Sequence, residues 1–420
     1  MLSKLLHTPE GVRDIYSDEC ARKLAIQDRI HKVFASYGYH DIQTPTFEFF
    51  DIFNKERGSV ASKNMYKFFD REGYTLVLRP DITPSIARCV AKYYMDEEMP
   101  MRFTYLGNTF INNSEHQGKL KETTQMGCEL IGDKTSDADA EMIAMSIEVL
   151  LKAGLTEFQV EVGHVDFFLG LIEDAKLDDE AKEKLQKLVE IKNYFGMEQF
   201  LDELQLDAKY RETFLKLPEL FGSIDVLESA KKLTDNKNAL AAIERLEKVY
   251  SILKDYHLEK YVSFDLGLLG NYNYYTGLVF KGYTYGIGDA VIKGGRYDNL
   301  LKQFEKDSPS IGFCVVIDQL MLALSRQKID VDTKIDHTMV LYTKDSQSVA
   351  IQVAKKLRTQ NEQVAMIRKK SQKDFEEYKE FAVRNHCDKI LYLADSEQIQ
   401  IVDLKNHTGK TVNTSEILDK

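Results

Sequence analysis

No run of about 18 apolar residues occurs anywhere in this chain, which argues against a membrane-spanning helix. The opening "MLSKLLHTPEGVRD" has too short an apolar segment for a signal peptide, and a cytoplasmic location is the expectation. The five cysteines, Cys20, Cys89, Cys128, Cys314 and Cys387, form no CxxC pair and have no histidine nearby at metal-ligand spacing. Neither a disulfide framework nor a zinc site follows from such a scatter, and no metal or cofactor is expected. Internal repeats and low-complexity tracts are absent as well. Positive charge is in deficit: the formal net charge of −11 opposes long-range attraction to RNA, although a local basic patch stays open.

What is present suits a globular protein. A chain of 420 residues, 43% hydrophobic, can bury more than one core, which predicts two or three domains. Helical spacing marks residues 18–37, with Asp18 as the expected N-cap and Gly38 as the stop. "YHDIQTPTFEFFDIF" reads as extended through Pro45, because the residue before proline is pushed out of the helical region. A hairpin over 63–70 and 74–79 precedes a helix from "DITPSIARCVAKYYM", with Pro84 in its first turn. Strands near 102–111 and 122–131 bracket a polar loop, a helix spans Ser136 to Ala153, and "EFQVEVGHV" reads as a strand.

Residues 166–258 turn charged and helical, with Glu and Lys pairs at i, i+4, which predicts an inserted, solvated or partner-binding helical unit. Strands resume at "YVSFDLG", "YYTGLVFKGYTY" and "DAVIKGGRYDNLL", then a strand and helix at "SIGFCVVIDQLMLALSRQ". From about Asp336 the strand–helix alternation predicts a small α/β domain with right-handed crossovers. "GIGDAVIKGG" lacks the strand-to-helix context of a dinucleotide site and is no such site.

Taken together, "YGYHDIQTPTFE", "YTLVLRPDITPSIAR", "YLGNTFINNSE", "TQMGCELIG", "NYNYYTGLVF", "GGRYDNLL" and "SIGFCVVIDQL" resemble the signature segments of class II aminoacyl-tRNA synthetases. Within that class they are most similar to histidyl-tRNA synthetase, and the similarity covers nearly the whole chain. The resemblance implies an α+β fold: an antiparallel sheet with flanking helices over 1–330, the helical insertion at about 166–258, and an anticodon-binding-like α/β domain over 336–420. It also implies a homodimer through the first of these segments.

Activating an amino acid builds negative charge on the α-phosphate of ATP, which preorganised arginines must meet. The family places such arginines at positions that match Ile111, Gln319 and Gly270 here, and Val316 replaces a family glycine. Since an arginine of this kind is worth roughly a thousandfold or more in phosphoryl transfer, the resemblance implies binding without activation. The histidine-recognising positions match Asp81, Thr83, Gln125, Glu129, Tyr275 and Tyr297, groups suited to an ammonium and an imidazole. Tyr274 is expected to pack, because adjacent strand residues face opposite sides. Arg296 fits a structural ion pair as well as a ligand contact, and His116 and His164 take no role.

Binding groups kept while catalytic cations are lost resembles one family in particular, the synthetase-like regulatory subunits of ATP phosphoribosyltransferase, the first enzyme of histidine biosynthesis. The opening "TPEGVRDIYSDE" and the aspartate of "LRPDIT" are similar to that family. Its members assemble with a short catalytic subunit, which implies a hetero-octamer, activation by contact and inhibition by histidine. The alternatives are a divergent histidyl-tRNA synthetase, or a paralogue that binds histidine or tRNA. Residues 336–420 hold 14 Lys plus Arg against 13 Asp plus Glu, weak support for RNA contact.

Overall fold

The computed structural model describes residues 6–53, 60–112, 119–270, 275–333 and 337–419. They form two compact units, Met1–Val331 and Asp332–Lys420.

In the first unit, helix α1 (Ser17–Ser36) buries Ile26, Ile30, Val33 and Phe34 along one stripe. Its N-cap is Tyr16 rather than Asp18, which instead lies in the first turn, where its charge meets the helix dipole. Gly38, at φ +80°, donates its N–H to Ala35 O at 3.0 Å and ends the helix. After β1 (His40–Asp41), strands β2 (Phe47–Phe49), β3 (Lys67–Phe69) and β4 (Thr75–Leu78) make a small antiparallel sheet in the order β2-β4-β3. Helix α2 (Thr83–Tyr93) then begins with Pro84 in its first turn.

Strands β5 (Met101–Phe110) and β6 (Glu122–Ile131) pair along their whole lengths. Helix α3 (Ser136–Ala153) is capped by the Thr135 side chain and closed by Gly154 at φ +106°. It leads into β7 (Phe158–His164). The next stretch is α4 (Val165–Asp174), α5 (Asp179–Glu190), α6 (Tyr194–Glu203), α7 (Ala208–Leu215), β8 (Phe221–Gly222), α8 (Asp225–Lys231) and α9 (Lys237–Asp255). These helices are less solvated than their charge suggests: Leu185, Phe214, Ile243 and Leu246 are buried in one core with Ile143 and Phe280. Apolar stripes between the charged positions explain the difference.

Strands β9 (Val262–Asp265), β10 (Leu278–Thr284), β11 (Ile292–Arg296) and β12 (Ser310–Val316), followed by α10 (Ile317–Arg326), complete the unit. The large sheet has nine strands in the order β1-β5-β6-β12-β11-β10-β7-β9-β8. Its centre is antiparallel as expected, but β1 pairs β5 and β7 pairs β9 in parallel, so the sheet is mixed. Both parallel pairs lie toward the margins.

In the second unit, β13 (His337–Tyr342), α11 (Gln347–Thr359), β14 (Gln363–Arg368), α12 (Phe375–Arg384) and β15 (Lys389–Leu393) form a parallel β14-β13-β15 core. An antiparallel hairpin absent from the sequence reading, β16 (Gln398–Asp403) and β17 (Thr408–Asn413), extends this sheet before α13 (Thr414–Leu418). Its turn is held by Asp403, which accepts from the backbone N–H groups of Lys405 and Asn406 at 2.9 and 2.8 Å.

Candidate functional site

Strand register lines up side chains across one face of the large sheet. One row runs Phe103, Glu129, Gly312, Gly295; the next runs Tyr105, Gly127, Cys314, Lys293, Lys281; a third holds Gly107, Gln125 and Val316. Glycine in the first row makes room for function. The Glu129 carboxylate lies over Gly312, where any Cβ would collide with it, and the Tyr275 ring passes 2.7 Å from where a Cβ of Gly295 would stand.

Glu129 is 1% exposed, and both its oxygens are occupied. Thr83 Oγ1 donates to Oε1 at 2.8 Å from the first residue of α2, and the Tyr297 hydroxyl, just past β11, donates to Oε2. Burial pushes the Glu129 pKa up to about 8; the two hydroxyl donors hold it back, and the nearby Asp81 charge adds to the rise. At neutral pH the acid is therefore mostly protonated, and one of the two hydroxyls accepts its proton. Burial and the Glu129 charge raise Tyr297 and Tyr105 well above ordinary tyrosine values. Asp81 is held at the start of α2, its Oδ1 accepting from the backbone N–H groups of Ile82 and Thr83 at 2.7 and 3.3 Å.

Asp81, Thr83, Glu129, Tyr275 and Tyr297 thus line one small cavity of about 20 Å³, together with Tyr105, Lys293 and Cys314. Gln125 does not join them. It sits four residues from Glu129 along β6, roughly 13 Å on the rise of a strand, and lines an adjoining groove of about 840 Å³ that shares Lys293 with the cavity. The groove is also lined by Ile111, Val316 and Gln319. Its Arg13 is paired with Glu19 at 2.6 Å and its Lys119 with Asp289 at 3.4 Å. Gly270, at φ +79°, has Tyr275 Cδ2 2.5 Å from where a Cβ would be, so the backbone there has no room for an arginine side chain.

Arg296 is structural. With Arg245 of α9 it clamps the fully buried Asp139 of α3: Arg296 Nη2 lies 2.6 Å from Oδ1 and Arg245 Nε 2.7 Å from Oδ2. Tyr274 and His116 lie outside the described residues. His164 is nine-tenths buried, its Nδ1 accepting from Asp166 N at 3.3 Å at the start of α4, and burial lowers its pKa to about 3, so it is neutral. The sequence reading passed over Lys293, although counting back by twos from Tyr297 through Gly295 reaches it. Among the described residues, no cluster of His, Cys, Asp or Glu could hold a metal ion, and no helix is long and apolar enough to cross a membrane.

The profile of the histidyl-tRNA synthetase family matches residues 11–320. The ATP phosphoribosyltransferase regulatory subunit of Acetivibrio thermocellus is 40% identical over 413 residues, covering 98% of each chain. That of Ruminiclostridium cellulolyticum is 40% identical over 99% of this chain and 98% of its own. A crystal structure from Bacillus halodurans, described as an ATP phosphoribosyltransferase regulatory subunit/histidyl-tRNA synthetase, superposes with a TM-score of 0.83 at 32% identity, covering 92% of this chain and 98% of that one. Histidyl-tRNA synthetase from a Nostoc species shares the fold at a TM-score of 0.83 and 18% identity, over 99% of this chain and 98% of that one. A histidyl-tRNA synthetase scaffold and near full-length likeness to these relatives place this chain in the family of ATP phosphoribosyltransferase regulatory subunits.

Proposed function

We propose that this chain activates a short catalytic ATP phosphoribosyltransferase subunit by contact and carries inhibition by histidine to it, with histidine bound at Glu129. As a member of its family the chain is a regulatory, non-catalytic subunit acting in histidine biosynthesis. The observation that carries the ligand reading is the buried acid Glu129, bonded by Thr83 and Tyr297 beside Asp81. Imidazole nitrogens can replace those hydroxyls as partners of Glu129, and Asp81 suits the ammonium. About 20 Å³ is room for roughly one water, so the ring enters only as a wall moves, and histidine then selects a more open state. A difference in affinity between two states is what inhibition at a distance requires.

Mixing the purified chain with the short catalytic subunit is expected to raise its phosphoribosyltransferase activity, and histidine to lower it again. Activity indifferent to the chain would sink the regulatory reading, and inhibition unchanged without the chain would move the histidine site to the partner.

The proton balance gives a second test. Between about pH 6.5, where free imidazole titrates, and about 8, where Glu129 does, a neutral acid meets a neutral imidazole, and binding needs no net proton. Below that window an imidazolium meets a protonated Glu129 and a proton must leave; above it a carboxylate meets a neutral ring and a proton must be taken up. Histidine affinity measured by calorimetry should therefore be flat across the window and fall on both sides. A monotonic profile would contradict the pairing.

The proposed homodimer is supported by an apolar face on the small sheet. Phe47 and Phe49 are each about half exposed, at 53% and 52%, with Phe68 and Tyr74 beside them and ring pairs 5.8 Å apart. Clustered aromatic rings of this kind are what a dimer contact would cover. Assembly with the catalytic subunit into a hetero-octamer rests on family resemblance.

A further inference from the structure

A free amino acid brings a carboxylate as well as a ring and an ammonium, and the positions where the synthetase resemblance places arginines hold Ile111, Gln319 and Gly270. Among the described residues, Lys293 is the one cation lining the Glu129 cavity, and it lines the larger groove too. Its ammonium makes no hydrogen bond or ion pair among those residues. The side chain stands directly across β10 and β11 from Lys281, and like charges in that position cost stability. Lys281 has compensation in the fields of Glu190, Glu161 and Asp265. Lys293 shares its cavity with Asp81 and the mostly protonated Glu129 and pairs with neither.

Such an arrangement makes sense if the cation meets an anion only when a ligand is bound. The position is right for that. Lys293 opposes Cys314, and Gly295 opposes Gly312 in the row of Glu129, so the two rows lie about 7 Å apart along the strands. That separation is close to the reach of histidine from ring to carboxylate. Asp81, which also lines the cavity, is left for the ammonium.

We propose that Lys293 receives the carboxylate of the bound amino acid, in place of the absent arginines, and so makes the pocket select a free α-amino acid over its decarboxylated analogue. The proposal rests on histidine binding at Glu129, as read above. Calorimetry with L-histidine and with histamine, on the wild type and on the Lys293→Met and Lys293→Arg variants, tests it.

A charge-assisted contact of this kind predicts that the wild type binds histidine about 10-fold to 100-fold more tightly than histamine. Lys293→Met should erase that gap by weakening histidine alone, and Lys293→Arg should keep most of it. Equal affinity of the wild type for the two ligands overturns the assignment without any variant. Undiminished histidine binding by Lys293→Met, or loss of both ligands together, also overturns it while leaving the Glu129 reading intact. Failure of the wild type to bind histidine at all overturns both.

Discussion

Replacing Glu129 by glutamine should lower histidine affinity roughly 100-fold, the scale of a lost charge-assisted bond in a closed pocket, and remove histidine inhibition of the catalytic partner. Activation by contact should persist. The variant is well suited to the question because Glu129, raised to about 8, is already mostly neutral at pH 7. An amide of the same shape then replaces a neutral acid: of the hydroxyls of Thr83 and Tyr297, one keeps an acceptor oxygen and the other accepts from the amide N–H. What glutamine cannot do is take the charged form that faces an imidazolium. Folding should therefore change little, by melting temperature, while calorimetry and the inhibition assay change greatly. Wild-type affinity in Glu129→Gln would remove this residue from the site; loss of activation along with inhibition would show that the pocket also shapes the partner-binding surface.

Asp139→Asn is expected to destabilise the first unit by about 3–5 kcal/mol, because it leaves the guanidinium groups of Arg296 and Arg245 facing a neutral amide at a fully buried position. Asp139 is fully buried, and its oxygens are shared between Arg296 and Arg245. Arg296 also donates to Asp298, whose other bond reaches the backbone N–H of Ser310 at 3.0 Å, so the clamp holds the turn that carries Tyr297. Urea denaturation monitored on the whole chain should show the shift in midpoint. Adding Arg296→Met to Asp139→Asn should recover part of the loss, since the second change removes one of the stranded charges. A cost under about 1 kcal/mol, the scale of an exposed pair, would mean that water reaches this cluster and that the clamp is not what fixes Tyr297.

Local spacing carried much of the fold. The helix read from about Ser136 to Ala153 is found there, because the Thr135 cap and the Gly154 stop act within a turn or two of its ends. Strands β5 and β6 were readable to within a residue or two for a similar reason, their pleated segments flanking a polar loop. Asp18 misled because a favourable first-turn acid and a true N-cap use the same residue types, and only backbone geometry separates them. The two-residue β1 and β8 are too short to show a period, and the parallel pairing of β1 with β5 and of β7 with β9 left no trace, since which strands meet is not written in local spacing.

At the site, the sequence by itself determined which side chains are available: acid, amide and hydroxyl groups without the arginines that activation needs, on segments whose likeness to histidyl-tRNA synthetase names the scaffold. Tertiary structure decided which of them meet. Glu129 joins Thr83 from 46 residues before it and Tyr297 from 168 residues after it, while Gln125, only four positions away, falls in another groove. The Asp139 clamp spans 106 and 157 residues, and Lys293 gains its place by pairing across strands. Register, burial and the field of neighbouring charges arise only once distant segments are packed together, and those terms raise Glu129 and leave Lys293 facing the pocket.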